Sequence, residues 1–156
     1  RSEELYNYMP FDMAGWSGAP MKTPTLAGTR PGGAISAAWG VMNTLGVEGY
    51  KRLQGQVCAT RERMEDGVKR LGFEIVGNPM LGLMAFHHPD AHAFAIYGEI
   101  FRRGWVTSVT KEPPSLHLML SPKHADVADA YLADLEASVK AVQAGKAGEK
   151  VEARYS

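Results

Sequence analysis

The sequence predicts a small α+β fold, a mostly antiparallel sheet of short strands covered by helices and preceded by a long loop. Three observations predict it. Apolar residues recur at three- and four-residue spacing in several separate stretches, and short alternating or β-branched runs of strand length lie between them. The strands come in pairs between the helices, a segregated pattern in which short strands form a mostly antiparallel sheet. A chain of 156 residues with 45% hydrophobic content can build one packed core.

The elements follow in order. Residues 8–33 are crowded with Pro10, Gly15, Gly18, Pro20, Pro24, Gly28, Pro31, Gly32 and Gly33, which prevent a continuous helix and leave a long irregular loop. Loops of that length are usually functional or lie on another surface. Tyr6, Tyr8, Phe11 and Trp16 gather there with little local core, as an apolar patch suited to an interface. A first helix over 31–45 has Thr29 as cap or near-cap, Pro31 in its first turn and Gly46 as its stop. Its face of Ile35, Ala38, Trp39, Met42 and Leu45 is expected to be buried.

A second helix over 47–71 carries Tyr50, Leu53, Val57, Met64, Val68 and Leu71 at helical spacing. Its mixed charges, Glu48, Glu62, Glu65 and Asp66 among Lys51, Arg52, Arg61, Arg63, Lys69 and Arg70, read as a solvated face. Residues 73–76 and 81–87 then read as two paired strands about a Gly77-Asn78-Pro79 turn. Helical spacing returns over 91–103 through Phe94, Ile96, Tyr97, Ile100 and Phe101, and a strand follows over 105–110. Lys111-Glu112-Pro113-Pro114 is expected to be an irregular link before a last strand over 116–120. A last helix over 123–144 places Val127, Ala130, Tyr131, Leu135, Val139 and Val142 on one face, and the final dozen residues are expected to fray.

Composition excludes several classes. Seventeen basic residues balance seventeen acidic ones without a basic run, which argues against nucleic-acid binding. No stretch approaches the roughly 18–20 apolar residues of a membrane span. The single Cys58 excludes an intrachain disulfide, suits a reducing cytoplasmic setting and is expected to be buried and inert. The start, Arg1-Ser2-Glu3-Glu4-Leu5-Tyr6, lacks a signal peptide's apolar core and reads as a chain beginning in mid-protein.

The strongest local signal for chemistry is Thr23-Pro24-Thr25-Leu26-Ala27-Gly28-Thr29-Arg30-Pro31-Gly32-Gly33, a Gly-rich bend running into a helix start. Unpaired N–H groups and the positive end of the helix dipole, with the Thr29 hydroxyl and the Arg30 guanidinium, suit a phosphate or carboxylate. A helix cap and tight turn, with Arg30 on an internal carboxylate, reads equally well. His88 and His92 are four residues apart beside His87, but Pro89 breaks the helix that would align them; a surface turn is the better reading and no metal site is expected. His117, between Leu116 and Leu118, reads as a hydrogen-bonded structural histidine. Ser17 lacks the context of a hydrolase nucleophile.

Trp16-Ser17-Gly18 and the stretch TPTLAGTRPGGAISAAWGVMNTLGVEGY resemble the segment that follows the cofactor lysine in sphingosine-1-phosphate lyases and related group II amino-acid decarboxylases. The likeness centres on T-P-T-(I/L)-A-G-(S/T)-R-P-G-G and a G-x-x-G-Y turn, here Gly46-Val47-Glu48-Gly49-Tyr50, and continues less sharply through the chain. It implies a fold-type I pyridoxal-phosphate (PLP) enzyme, dimeric, with active sites at the subunit interface. Residues 1–33 would then be an interface and active-site loop from the end of the large domain, 34–71 connecting helices, and 72–156 the small C-terminal domain. The resemblance implies that Gly28 and Thr29 contact the cofactor phosphate of the partner subunit, that Arg30 meets an anionic group of a phosphorylated amine substrate or braces the loop, and that His117, in Ser115-Leu116-His117, is a substrate-side residue. It implies no catalytic residue within this chain. The family's cofactor lysine follows a histidine, and none of Lys22, Lys51, Lys69, Lys111, Lys123, Lys140, Lys146 and Lys150 does. The chain alone is therefore expected to be inactive, with the upstream PLP-binding large domain and a second subunit as its partners. A non-catalytic oligomerisation module is the reading from another class.

Overall fold

A computed structural model of the chain describes residues 2–12, 15, 17–18, 22–25 and 27–145. The chain forms two compact units, Arg1–Gly46 and Val47–Ser156. The first holds a one-turn helix α1 (Glu3–Tyr6), capped by the Ser2 side chain, and two short antiparallel strands, β1 (Phe11–Asp12) and β2 (Lys22–Thr23). The region read as wholly irregular thus contains a small ribbon, Phe11 opposite Thr23 and Asp12 opposite Lys22. Helix α2 (Gly32–Arg70) opens in this unit and is broken at Gly46, whose φ of 59° and ψ of −176° are not helical. Such a φ strains any side chain, so the residue expected to stop the first helix is the one that can.

The face expected to be buried on that first helix is not. Ile35 is 65% exposed and Trp39 66%, with Val41 and Met42 also open to solvent. The helix between Gly32 and Gly46 is apolar on several sides, the pattern of a segment that is covered all round, and among the described residues of its unit none is buried.

The second unit has a closed core. The C-terminal half of α2 is followed by β3 (Glu74–Ile75), β4 (Leu83–His87), α3 (Ala93–Arg102), β5 (Ser108–Lys111), β6 (Pro114–Met119), a 3-10 turn over Pro122–Asp126 and α4 (Ala128–Gln143). The sheet is antiparallel with order β3-β4-β6-β5. Met84, Phe86 and Leu116 point to the face covered by helices, where Val68, Ile96, Tyr97, Ile100, Tyr131, Leu135 and Val139 meet them. Phe73 stands edge-on to Phe86 at 5.2 Å. At roughly 1.5–3 kcal/mol for each large apolar side chain fully buried, this cluster is the main source of stability in the unit. The α+β class expected from the sequence is the one observed.

Three expectations need correction here. Lys111-Glu112-Pro113-Pro114 is no irregular link but the turn of a hairpin, with Lys111 registered opposite Pro114 and a cis Glu112–Pro113 bond. Proline is tolerated because Pro114 is the first residue of its strand. The last helix does not begin at Lys123; the 3-10 turn precedes it, and Ala128 rather than Ala130 is the small residue turned to the core. The charged face of α2 is not wholly solvated: Arg61 is 9% exposed and pairs with Glu65 and Glu62. Lys69, donating to the other oxygen of Glu65 at 2.7 Å, holds that carboxyl below its ordinary range, with Arg61 adding to the effect.

Candidate functional site

The segment singled out at 28–30 is shaped by a tight turn. The Gly28 N–H donates to the Thr25 carbonyl at 3.4 Å, and the Thr25 hydroxyl donates to the Gly28 carbonyl at 3.3 Å. Gly28 sits at φ 63°, and a Cβ built there would meet nothing within 4 Å, so the space over the turn is open. Thr29 and Arg30 follow, both exposed, and α2 begins at Gly32. Thr29 therefore lies ahead of the helix cap, with its hydroxyl and N–H on the approach to the helix rather than inside it. The first turn of α2 carries no acidic residue. Unpaired helix N–H groups, an adjacent guanidinium and no competing carboxylate in that turn make a local environment suited to an anion. Leu26 and Trp16 of the same motif lie outside the described residues, as does the side chain of Phe11, while Tyr6 and Tyr8 are exposed as expected.

His117 belongs to the other unit. It is on β6, opposite Ala85 of β4 and Ser108 of β5, and half-buried. The Thr107 hydroxyl donates to its carbonyl at 2.9 Å, pinning the strand, and the residue lines a pocket of about 370 Å³. Around this pocket stand Thr107, Tyr131, Trp105 and His124, which sequence reasoning did not group. Trp105 stands edge-on to Tyr131 at 5.3 Å and its indole N–H donates to Asp134 at 2.8 Å, so the aromatic wall is fixed at both ends. Tyr131 is buried, its hydroxyl set beside that of Thr107. Burial pushes its phenol far above the ordinary range; the nearby Thr107 hydroxyl pulls the other way.

The three clustered histidines do separate local work. His87 lies 3.7 Å from Glu74 across β3 and β4. His88 accepts the Asp90 N–H through Nδ1 at 3.1 Å and stands edge-on to Phe73. His92 caps α3, its Nδ1 accepting from the Phe94 N–H at 3.3 Å. Among the described residues no group of three His, Cys, Asp or Glu is arranged to hold a metal. Cys58, expected to be buried, is part-exposed instead: it accepts from Gln54 at 3.4 Å and points toward the Met80 carbonyl at 3.8 Å, because its side of α2 meets the loop before β4 rather than the core. Ser17 is exposed.

Comparison with known proteins brings these observations together. No family model matches the chain. Over 145 residues, 92% of its length, it is 30% identical to the sphingosine-1-phosphate lyase of Arabidopsis thaliana. The structure superposes on a sphingosine-1-phosphate lyase of Burkholderia pseudomallei with a TM-score of 0.80 over 92% of the chain, at 25% identity. The chain belongs with the sphingosine-1-phosphate lyases and group II decarboxylases. Within that superfamily it is also 34% identical, over 98 residues, to a probable L-tyrosine/L-aspartate decarboxylase of Methanothermobacter thermautotrophicus. It shares its fold with the glutamate decarboxylase of Lactobacillus brevis, with a TM-score of 0.66 at 12% identity. The lyase superfamily members are longer: the chain spans 27% of these curated relatives and 33% of the Burkholderia chain, where it matches a small domain. No helix among its described residues is long and apolar enough to cross a membrane.

Proposed function

We propose that the protein to which this chain belongs is a PLP-dependent carbon–carbon lyase, cleaving a phosphorylated long-chain amino alcohol to an aldehyde and phosphoethanolamine. The observation that carries this reading is likeness to sphingosine-1-phosphate lyases across 92% of the chain in both sequence and fold. The open turn at Gly28 fits one end of the cofactor, its phosphate, and the chain's lysines offer no His-Lys pair for the other. When bound, the cofactor supplies an electron sink for the bond that breaks. In this reading Gly28 lets backbone approach the phosphate, Thr29 donates its N–H and hydroxyl to it, and Arg30 meets an anionic substrate group or braces the loop. His117 contributes from the small domain toward the substrate. The chain alone is inactive, and works with an upstream PLP-binding domain and a second, identical subunit in the cytoplasm. Residues 1–33 act as the interface loop of that dimer, 34–71 as connecting helices and 72–156 as the small domain.

Full-length protein tested for PLP absorbance and for turnover of a phosphorylated long-chain amino alcohol decides the matter. A full-length protein that binds no PLP would falsify the reading. Release of CO₂ from an amino acid instead would establish the decarboxylase alternative, which the 34% identity to the archaeal decarboxylase favours. Replacing Gly28 by Val or Thr29 by Leu is expected to weaken PLP retention on dialysis, and unchanged retention in both variants would remove the loop from the cofactor site.

A further inference from the structure

Helices α3 and α4 are each entered through a turn held by a histidine nitrogen that accepts a hydrogen bond only while it is unprotonated. His92 caps α3, its Nδ1 accepting the Phe94 N–H at 3.3 Å. In the turn that leads there from β4, His88 accepts the Asp90 N–H at 3.1 Å through the same ring atom. Ahead of α4, the 3-10 turn is closed by His124, whose Nδ1 accepts the Ser121 N–H at 2.7 Å. Each of these bonds requires the ring proton to sit on Nε2, the neutral tautomer. His92 and His124 are exposed and His88 is half-buried, so protons from solvent reach the turns without any unfolding. The first turns that follow carry core contacts, Ala93 and Ile96 on α3 and Ala128 and Tyr131 on α4.

We propose that His88, His92 and His124 form an acid-sensitive catch on the helix layer: as they take up protons, the first turns of α3 and α4 open reversibly and their packing on the sheet loosens. Protonation makes Nδ1 a donor facing a backbone N–H, so the bond is lost, and at His92 it also sets a positive charge on the positive end of α3. The hold is therefore present while the imidazoles are neutral and is lost as pH falls through about 7 to 5, the range in which histidine charges. The groups that could answer the new charges are few. Around His88 and His92 they are Asp90 in the same turn and Glu74 of β3, which already faces His87 at 3.7 Å, while the β5–β6 hairpin presents Pro113 and Pro114. A charged His87 would be favoured by Glu74, the opposite sign from its neighbours. Around His124 stand Lys123 and Asp126 of its own turn, with Arg63 of α2 donating to the Ala125 carbonyl and pairing with Asp129 of α4.

Amide hydrogen exchange of the full-length protein, followed by mass spectrometry over about pH 7.5 to 5.5 and corrected for the intrinsic rate at each pH, reads both helix starts directly. Protection over residues 93–100 and 128–135 is expected to fall about three- to tenfold across that range, the span of one hydrogen bond. Helix α2 contains no histidine and is expected to keep its protection. Asparagine offers an oxygen that accepts from a backbone N–H and never titrates. His88→Asn combined with His92→Asn should therefore abolish the pH response at α3 alone, and His124→Asn the response at α4 alone. Protection at the two helix starts that does not change with pH in the parent protein would overturn the proposal, and so would a pH response that survives in the asparagine variants. Where a variant fails to fold, the parent series and the other helix's variant still decide. Neither PLP binding nor turnover enters the readout, so the outcome is separate from that of the proposed reaction.

Discussion

The two units bury their apolar residues in opposite ways. In Val47–Ser156, Val68, Phe86, Ile96, Ile100, Leu116 and Leu135 are fully excluded from solvent. In Arg1–Gly46, Tyr8, Ile35, Trp39 and Met42 all stand open, and none of the described residues is buried. The second unit thus carries its own stabilising core, whereas the first displays apolar surface of the kind that marks an interface. The turn at Gly28 sits in this exposed unit, and the pocket beside Trp105 and Tyr131 sits in the self-sufficient one.

Substitutions that remove core side chains test the comparison most strongly. Phe86→Ala should cost about 3–5 kcal/mol, seen as a lower denaturation midpoint at unchanged slope, since the residue is wholly buried and Phe73 stacks edge-on against it. A loss below 1 kcal/mol would mean that the second unit is not organised around this cluster.

A smaller effect comes from the ion-pair network on α2. Glu65 is held below its ordinary value of 4.5 by Lys69 and Arg61, so it favours folding when ionised. That contribution is present above about pH 4.5 and fades as pH falls through the lower folded value. Glu65→Gln should therefore destabilise by roughly 1 kcal/mol at pH 7, with the gap to the parent closing in acid below pH 4.5. A gap that stays constant from pH 7 to pH 3 would show that the carboxylate's charge is not what matters.

The smallest change is expected in the exposed unit. Trp39→Ser should shift the stability of this chain by no more than about 0.5 kcal/mol, because an exposed side chain has little to lose. The same change in full-length protein should lower stability or weaken subunit association, measured by thermal melts and sedimentation. Equal, negligible effects in both would show that the helix face is solvent-exposed in the whole protein as well.

Much of the fold was legible because it is written locally. The spacing of Ile96, Tyr97 and Ile100 marks α3, the alternation through Met84 and Phe86 marks β4, and Gly46 marks the break in α2. The Gly28 turn was legible for the same reason, its Thr25 partner lying three residues away. The β5–β6 hairpin was misread because two prolines signal a break, and nothing in the local pattern says that Pro114 will stand at the start of a strand, where proline is allowed. Arg61 was misread because helical periodicity assigns charge to solvent, while Glu62 and Glu65 allow it to be buried.

The amino-acid sequence by itself therefore determined the helical and strand character of most of residues 32–120, the break at Gly46 and the Gly-rich bend at Gly28. Those features depend on backbone preferences and on residues within a few positions of one another. Only the tertiary structure decided the strand order β3-β4-β6-β5, the burial of Arg61, and the gathering of Met64, Thr107, His117, His124 and Tyr131 around one pocket. Each of these rests on contacts between residues tens of positions apart, and burial and pairing at that range are settled by how the layers close, not by the chain's local pattern.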